Sequence, residues 1–263
     1  MPIAASGAAV RNSRQFFMAN GVPIHVTTYI GMDVAMRKSG DGNGARGGVP
    51  EPKAGDPVPM AYLVEQPPGS TVQSHYHQAD QFQLVVAGGG HLGRHEIGPL
   101  AVHYTNAFNA YGPIKAGPSG VQYFTLRNAY DPGAQYLPAN KDKLKAATRT
   151  FLQATEVVGQ AGWADLTGLD GVQSDVVLAE TEAGMGAWRH RLPQGARVTG
   201  PDPASGAGQY WVVTAGRLLG NDGSEYPAIS TIFVHPHDAP FEAVAGAPGL
   251  EVLVLQYPRR ALA

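Results

Sequence analysis

Pro67-Pro-Gly69-Ser-Thr-Val-Gln-Ser-His75-Tyr-His77-Gln-Ala-Asp80-Gln81-Phe-Gln-Leu-Val-Val-Ala-Gly88 is the stretch that decides how this chain is read. It opens on a Pro-x-Gly turn and closes on an apolar, β-branched run that ends in glycine, the pattern of a turn followed by strands. Residues i and i+2 of a strand point to the same face, so His75 and His77 project together while Tyr76 faces away. Two imidazoles on one face can converge on a single cation. A hydrogen-bonded or exposed pair is the plainer alternative.

Moving outward, parts of this stretch recur. Gln81-Phe-Gln-Leu-Val-Val-Ala-Gly88 returns 128 positions later as Gln209-Tyr-Trp-Val-Val-Thr-Ala-Gly216. Ala116-Gly-Pro-Ser-Gly120-Val-Gln-Tyr-Phe-Thr-Leu126 returns after 129 positions as Ala245-Gly-Ala-Pro-Gly249-Leu-Glu-Val-Leu-Val-Leu255. Pro67-Pro-Gly69 returns after 126 as Pro193-Gln-Gly195. Three matches in one order with a nearly constant offset indicate an internal duplication, hence two all-β units of about 120 residues each. Asn140 to Leu152 has the best helical pattern, with Asn140 as N-cap, and falls where a connector belongs. The expected division is residues 1–138, a linker helix over 139–155, and 156–263. Pro23 to Ile30 reads as a first strand, and strand-like segments resume at Val176 and run to Tyr257. Lys38 to Pro59, rich in glycine, proline and charge, reads as a mobile loop, either a lid or a plain surface excursion.

The motif resembles the first signature motif of the cupin superfamily, with six positions from Gly69 to His75, two to His77 and four more to Gln81. That family normally has Glu where this chain has Gln81. The resemblance implies two tandem double-stranded β-helix (jelly-roll) barrels. It also implies one divalent transition metal per chain (Fe, Mn, Ni or Zn) held by His75, His77 and Gln81. The second family motif supplies a further His in a Pro-x-Gly-x-x-His context. Its counterpart is read at Tyr104 to Lys115, which has no suitable His and leaves Tyr111 or Lys115 near the place. Asp80, His91, His95 and His103 are the other candidate ligands, and His103 and Tyr111 are the candidates for moving a proton. Gln209 repeats Gln81 where no His pair exists, which favours a structural role for both glutamines. In the second copy Pro201 and Pro203 stand at the His positions and cannot ligate. His235-Pro-His237 reads as a turn, and Trp188, Trp211 and Phe241 read as core or interface. The first copy is the equipped one.

Composition narrows the function. The 263 residues carry 19 basic and 21 acidic side chains, a formal charge of −2, with no basic stripe, so neither nucleic acid nor an anionic membrane is an expected partner. There is no cysteine, which excludes disulfide and thiolate chemistry and leaves His, oxygen and amide ligands for any metal. Met1 to Asn20 lacks the pattern of a signal peptide and no apolar run is long enough to span a bilayer, so the expected location is the cytoplasm. The 34 glycines and 21 prolines, separated by short apolar runs, suit many strands and turns. No Gly-x-Ser-x-Gly nucleophile motif is present. The expectation is a metal-dependent enzyme acting on a small organic molecule, of dioxygenase type. The alternatives are a metal-dependent isomerase or lyase, and a non-catalytic binding or storage protein. A homodimer is left open.

Overall fold

The computed structural model describes residues 1–33, 52–147, 156–158 and 165–259. Most of the expected loop, residues 38–51, lies outside the described residues, as do residues 148–155 of the expected helix. The chain divides into two compact units, one of residues 12–160 and the other of residues 1–11 with 161–263. Strand β1 (Ile3–Ala5) therefore belongs to the second unit.

The first unit is built from β2 (Arg14–Ala19), β3 (Val22–Ile30), β4 (Met60–Gln66), β5 (Thr71–Val72), β6 (His75–Tyr76), β7 (Gln81–Leu92), β8 (His95–Ile97), β9 (Val102–Thr105), β10 (Ile114–Arg127), β11 (Gln135–Tyr136), helix α1 (Lys141–Ala146) and β12 (Glu156–Val158). Among the described residues, nine of these strands form one antiparallel sheet with the path β12-β9-β7-β10-β4-β3-β2; β5 pairs with β10 and β8 with β7. Strands β6 and β11 pair separately. The β2–β3 hairpin turns at Asn20-Gly21, both with positive φ (49° and 86°), the two-residue turn whose twist matches that of its strands.

The long strands β7 and β10 bend where Gly88 meets Gly120 and Val121, and the register shifts there. A Cβ on Gly88 would collide with the carbonyl oxygen of Gly120, so only glycine permits this approach. Beyond the bend β7 pairs with β8 and β10 with β5, which curls the sheet around a core that includes Ile24, Val26, Tyr62, Val85, Ile114 and Tyr123.

The second unit repeats this plan with β13 (Gln173–Leu178), β14 (Gly186–Pro193), β15 (Arg197–Thr199), β16 (Gln209–Leu219), β17 (Glu225–Pro227), β18 (Ser230–Val234) and β19 (Glu242–Gln256). The sheet runs β1-β18-β16-β19-β14-β13, with β15 on β19 and β17 on β16. Strands β16 and β19 correspond to β7 and β10, and Gly216 meets Gly249 as Gly88 meets Gly120. The two-barrel, all-β expectation holds.

Three boundaries differ from expectation. The first residues join the second unit because β1 pairs with β18, Ile3 opposite Phe233. Backbone 156–158 pairs with β9, so the chain beyond the helix still belongs to the first sheet and the second repeat does not begin at 156. The described helix is only Lys141–Ala146; Asn140 stands at its N-cap position as expected, but its side chain makes no capping bond and its amide donates back to the Tyr136 carbonyl at 3.0 Å.

Candidate functional site

The site lies inside the first barrel. His75 on β6 and His77 just after it line a cavity of about 160 Å³. His75 is fixed through its backbone, its N–H donating to the Tyr111 carbonyl at 3.1 Å while the Tyr111 N–H donates back at 3.0 Å. Both imidazoles are held at Nδ1. That of His75 donates to the Gln73 carbonyl at 2.7 Å, and that of His77 to the Asp131 carboxylate at 2.7 Å. A carbonyl or carboxylate at Nδ1 sets the tautomer and leaves a lone pair on Nε2. Asp131 is fully buried and also accepts the backbone N–H groups of Gln78 (2.8 Å) and Gly133 (3.0 Å).

Gln81 and Arg127 face each other across β7 and β10. Arg127 Nη2 donates to Gln81 Oε1 at 2.6 Å and lies 3.1 Å from His77 Nε2. The Gln81 amide donates to the Tyr111 hydroxyl at 2.7 Å. The Tyr111 ring packs on His75, with ring centres 4.6 Å apart. Tyr123, Thr125, Gln83 and Tyr136 complete the polar wall, and Phe17, Ala19, Ile24, Val26, Val64 and Val72 the apolar one.

Burial, reinforced by neighbouring His77, pushes His75 down to about 3, so its ring is neutral at physiological pH. Burial likewise raises Tyr111 and Tyr123 well above the ordinary phenol range, which keeps both as hydroxyls.

The other sequence candidates fall elsewhere. His103 is buried but does not line this cavity. Its Nδ1 pairs with Gln83 Oε1 at 2.7 Å and its ring packs on Tyr111 at 5.0 Å, next to a separate void of about 20 Å³. Asp80 accepts the Ala107 N–H at 2.9 Å and so holds the turn after β9. His91 and His95 are exposed on the β7–β8 hairpin, and Lys115 is exposed on β10. The second motif also needs correction. Pro118-Ser-Gly120-Val-Gln-Tyr123 on β10 carries the Pro-x-Gly-x-x spacing, so Tyr123 takes the place of the expected His. Tyr104 to Lys115, where the motif was expected, is the end of β9, the turn after it and the first two residues of β10.

Arg127, Tyr123, Gln83 and Asp131 were missed from sequence. The offset of 129 would have exposed Arg127, since its counterpart Gln256 faces Gln209 as Arg127 faces Gln81. The second barrel is closed at the matching positions. Trp211, Ile232, Val252 and Val254 stand where the first has Gln83, His103, Tyr123 and Thr125, and none is more than 2% exposed. Gln209 bonds to Gln256 at 2.7 Å and accepts from Trp211, so glutamine here is a cross-strand strut. His235 and His237 lie in a turn closed by Asp238.

The implied metal can be tested on these donors. Nε2 of His77 and Oε1 of Gln81, two of the three expected ligand atoms, both face the guanidinium of Arg127. A divalent ion at bonding distance, about 2.1 Å from Nε2, would sit beside a permanent cation. Among the described residues no carboxylate lines the cavity itself. Among the described residues no group of three or more His, Asp or Glu could hold a metal ion. As arranged, the donors do not fit a metal.

No family model matches the sequence, and no curated protein matches it. Solved structures do. A Nostoc punctiforme protein proposed to be a dioxygenase is 13% identical, with a TM-score of 0.59 over 100% of this chain and 85% of that one. Two structures of oxalate decarboxylase, one of them the Bacillus subtilis enzyme in work on its Mn(II) centres, are 10% and 11% identical. Each has a TM-score of 0.57 over 99–100% of this chain and 78% of the other. At these identities the likeness is one of fold. None of the described helices is long and apolar enough to cross a membrane.

Proposed function

We propose that this chain, a two-repeat cupin by fold, takes one small organic molecule into its N-terminal barrel and acts on it by proton transfer, with the C-terminal barrel as scaffold. The observation that carries this is the contrast between matching positions: Gln83, Tyr123 and Thr125 are polar and line a cavity of about 160 Å³ in the first barrel, whereas Trp211, Val252 and Val254 are apolar and fully buried in the second. A concave site with an apolar wall and a few convergent polar groups is the usual form of a small-molecule pocket. The groups in reach of a ligand are the neutral imidazole of His75, the hydroxyls of Tyr111 and Tyr123, and Arg127. Unaided, they can orient a ligand and pass a proton, which is chemistry of the isomerase or lyase kind.

A metal-dependent reading, including the dioxygenase type, has one specific observation in its favour. Both imidazoles are held at Nδ1 from outside, as metal-bound histidines are. The manganese of the oxalate decarboxylase neighbour points the same way. On this reading His75, His77 and Gln81 are the ligands, and Arg127 must first swing away.

The test of the pocket is a thermal-shift and NMR screen of small organic molecules against the full chain. Hits should perturb Tyr111, Tyr123 and His75, and Ala19→Leu, which adds bulk to the cavity wall, should weaken them at least tenfold. Hits that map only outside residues 12–160, or that ignore Ala19→Leu, would overturn the proposal.

A further inference from the structure

We infer that Arg127 takes the place of the metal in this barrel, and that the ligand it receives is the carboxylate of a small organic acid. The inference rests on the N-terminal barrel being the ligand site and names the class of ligand.

Arg127 is 3% exposed and is the one Asp, Glu, Lys or Arg among the described residues lining the cavity. It contacts His77 Nε2 and Gln81 Oε1, two atoms that would otherwise face a bound cation. Among the described residues its ion-pair partner is Asp131, 3.7 Å from Nε, which does not line the cavity. The cavity therefore offers a ligand the guanidinium of Arg127 set among hydroxyls and a neutral imidazole. A planar guanidinium matches a carboxylate better than it matches any neutral group.

The second barrel is an internal control. Its counterpart of Arg127 is Gln256, uncharged and bonded to Gln209 and to the Gly184 carbonyl, in a barrel whose interior is filled. The fold does not require an arginine at this position; the charge goes with the cavity. The rest of the ligand follows from the other wall. Apolar side chains of β2, β3, β4 and β5 face the cavity, and its volume is close to the roughly 150 Å³ that admits a benzene ring. The acid is therefore of ring size, with an apolar body and one carboxylate.

The experiment is calorimetric titration of the full-length protein with benzoate, phenylacetate and hexanoate, with benzamide as neutral counterpart of benzoate. At least one acid should bind, and benzamide at least tenfold more weakly than benzoate. Arg127→Gln, which copies the second barrel, should abolish that preference, and Arg127→Lys should retain part of it. In parallel, Mn(II), Fe(II), Ni(II) and Zn(II) should show no stoichiometric uptake by the wild type. Stoichiometric uptake through His75 and His77 would overturn the inference, as would failure of every acid to bind or equal binding of benzoate and benzamide. The benzamide comparison needs no variant, so a misfolded Arg127→Gln leaves the test intact. Acids that bind outside the N-terminal barrel would sink the pocket assignment itself. Acids bound within it and indifferent to Arg127 would sink only this inference.

Discussion

Asp131 shows how much of the site depends on a residue that no ligand touches. Its carboxylate is fully buried, fixes the His77 tautomer and ties down the backbone at Gln78 and Gly133. Removing one partner of a buried charged network leaves the others uncompensated, so Asp131→Ala should lower unfolding free energy by about 3 kcal/mol. Urea denaturation measures this; a loss under about 1 kcal/mol would mean that solvent already reaches the pair. His103 gives a second prediction, from its depressed pKa of about 3, caused by burial and then by His75. The folded state keeps this ring neutral while the unfolded chain protonates it below about 6.5. Stability should therefore fall as pH drops through the window between those values, by up to about 1.4 kcal/mol per pH unit from this one group. His103→Gln, which can still donate to Gln83, should flatten that part of the pH profile. Parallel profiles for variant and wild type would show that His103 is not titrating as a buried group.

At the scale of elements, the bend shared by β7 with β10 and by β16 with β19 is the device that turns a flat sheet into a barrel. Gly88 (φ 66°) and Gly216 (φ 69°) each face a carbonyl that a Cβ would strike, whereas Gly69 (φ 68°) has open space around it. Gly69→Ala carries only the left-handed backbone penalty, about 1 kcal/mol. Gly88→Ala and Gly216→Ala add a collision with backbone that cannot move without breaking the ladder, and should cost about 2–4 kcal/mol. Equal effects at Gly69 and Gly88 would show that the strands can part at the bend. The strands themselves were readable because turn residues punctuate them and the repeat lists them twice. The His pair was readable because strand parity puts i and i+2 on one face. The second motif was misplaced, and Tyr123 with it missed, because β10 runs through the bend and the motif lies beyond the turn that marks the strand's start. Arg127 was missed because a charged residue at a strand end reads as the chain's exit to water. Its inward direction is fixed by the partner strand, where Gln81 is 46 positions away.

For the whole molecule, duplication left two barrels with the same scaffold and different interiors. One invests its matching positions in packing and the other in a cavity with a buried cation, so the two should fail differently. Loss of a hydroxyl that lines the cavity, as in Tyr123→Phe, should reduce ligand binding more than stability, while Trp211→Ala in the second barrel, a fully buried ring, should cost about 3–5 kcal/mol and leave ligand binding to the first unchanged. Denaturant melts followed alongside calorimetry separate the two effects, and a parallel loss of both would contradict the division of labour. The segment 1–11 adds a further dependence. Strand β1 covers the edge of β18, and the Gly7 N–H donates to Ser230 Oγ at 3.1 Å. Deleting residues 1–8 should speed amide exchange in Ser230–Val234 and leave β2–β4 protected.

That pairing of Ile3 with Phe233 also sets a schedule. On a ribosome adding about 5–20 residues per second, the first strand emerges on the order of tens of seconds before the strand it must join has been made. In that interval the segment 12–160 can close into its own barrel, while the leading residues stay uncommitted and must be kept from pairing with any other open edge. The later of the two barrels is thus sealed by a strand made before the earlier one, so its fold waits on a segment that has already left the ribosome.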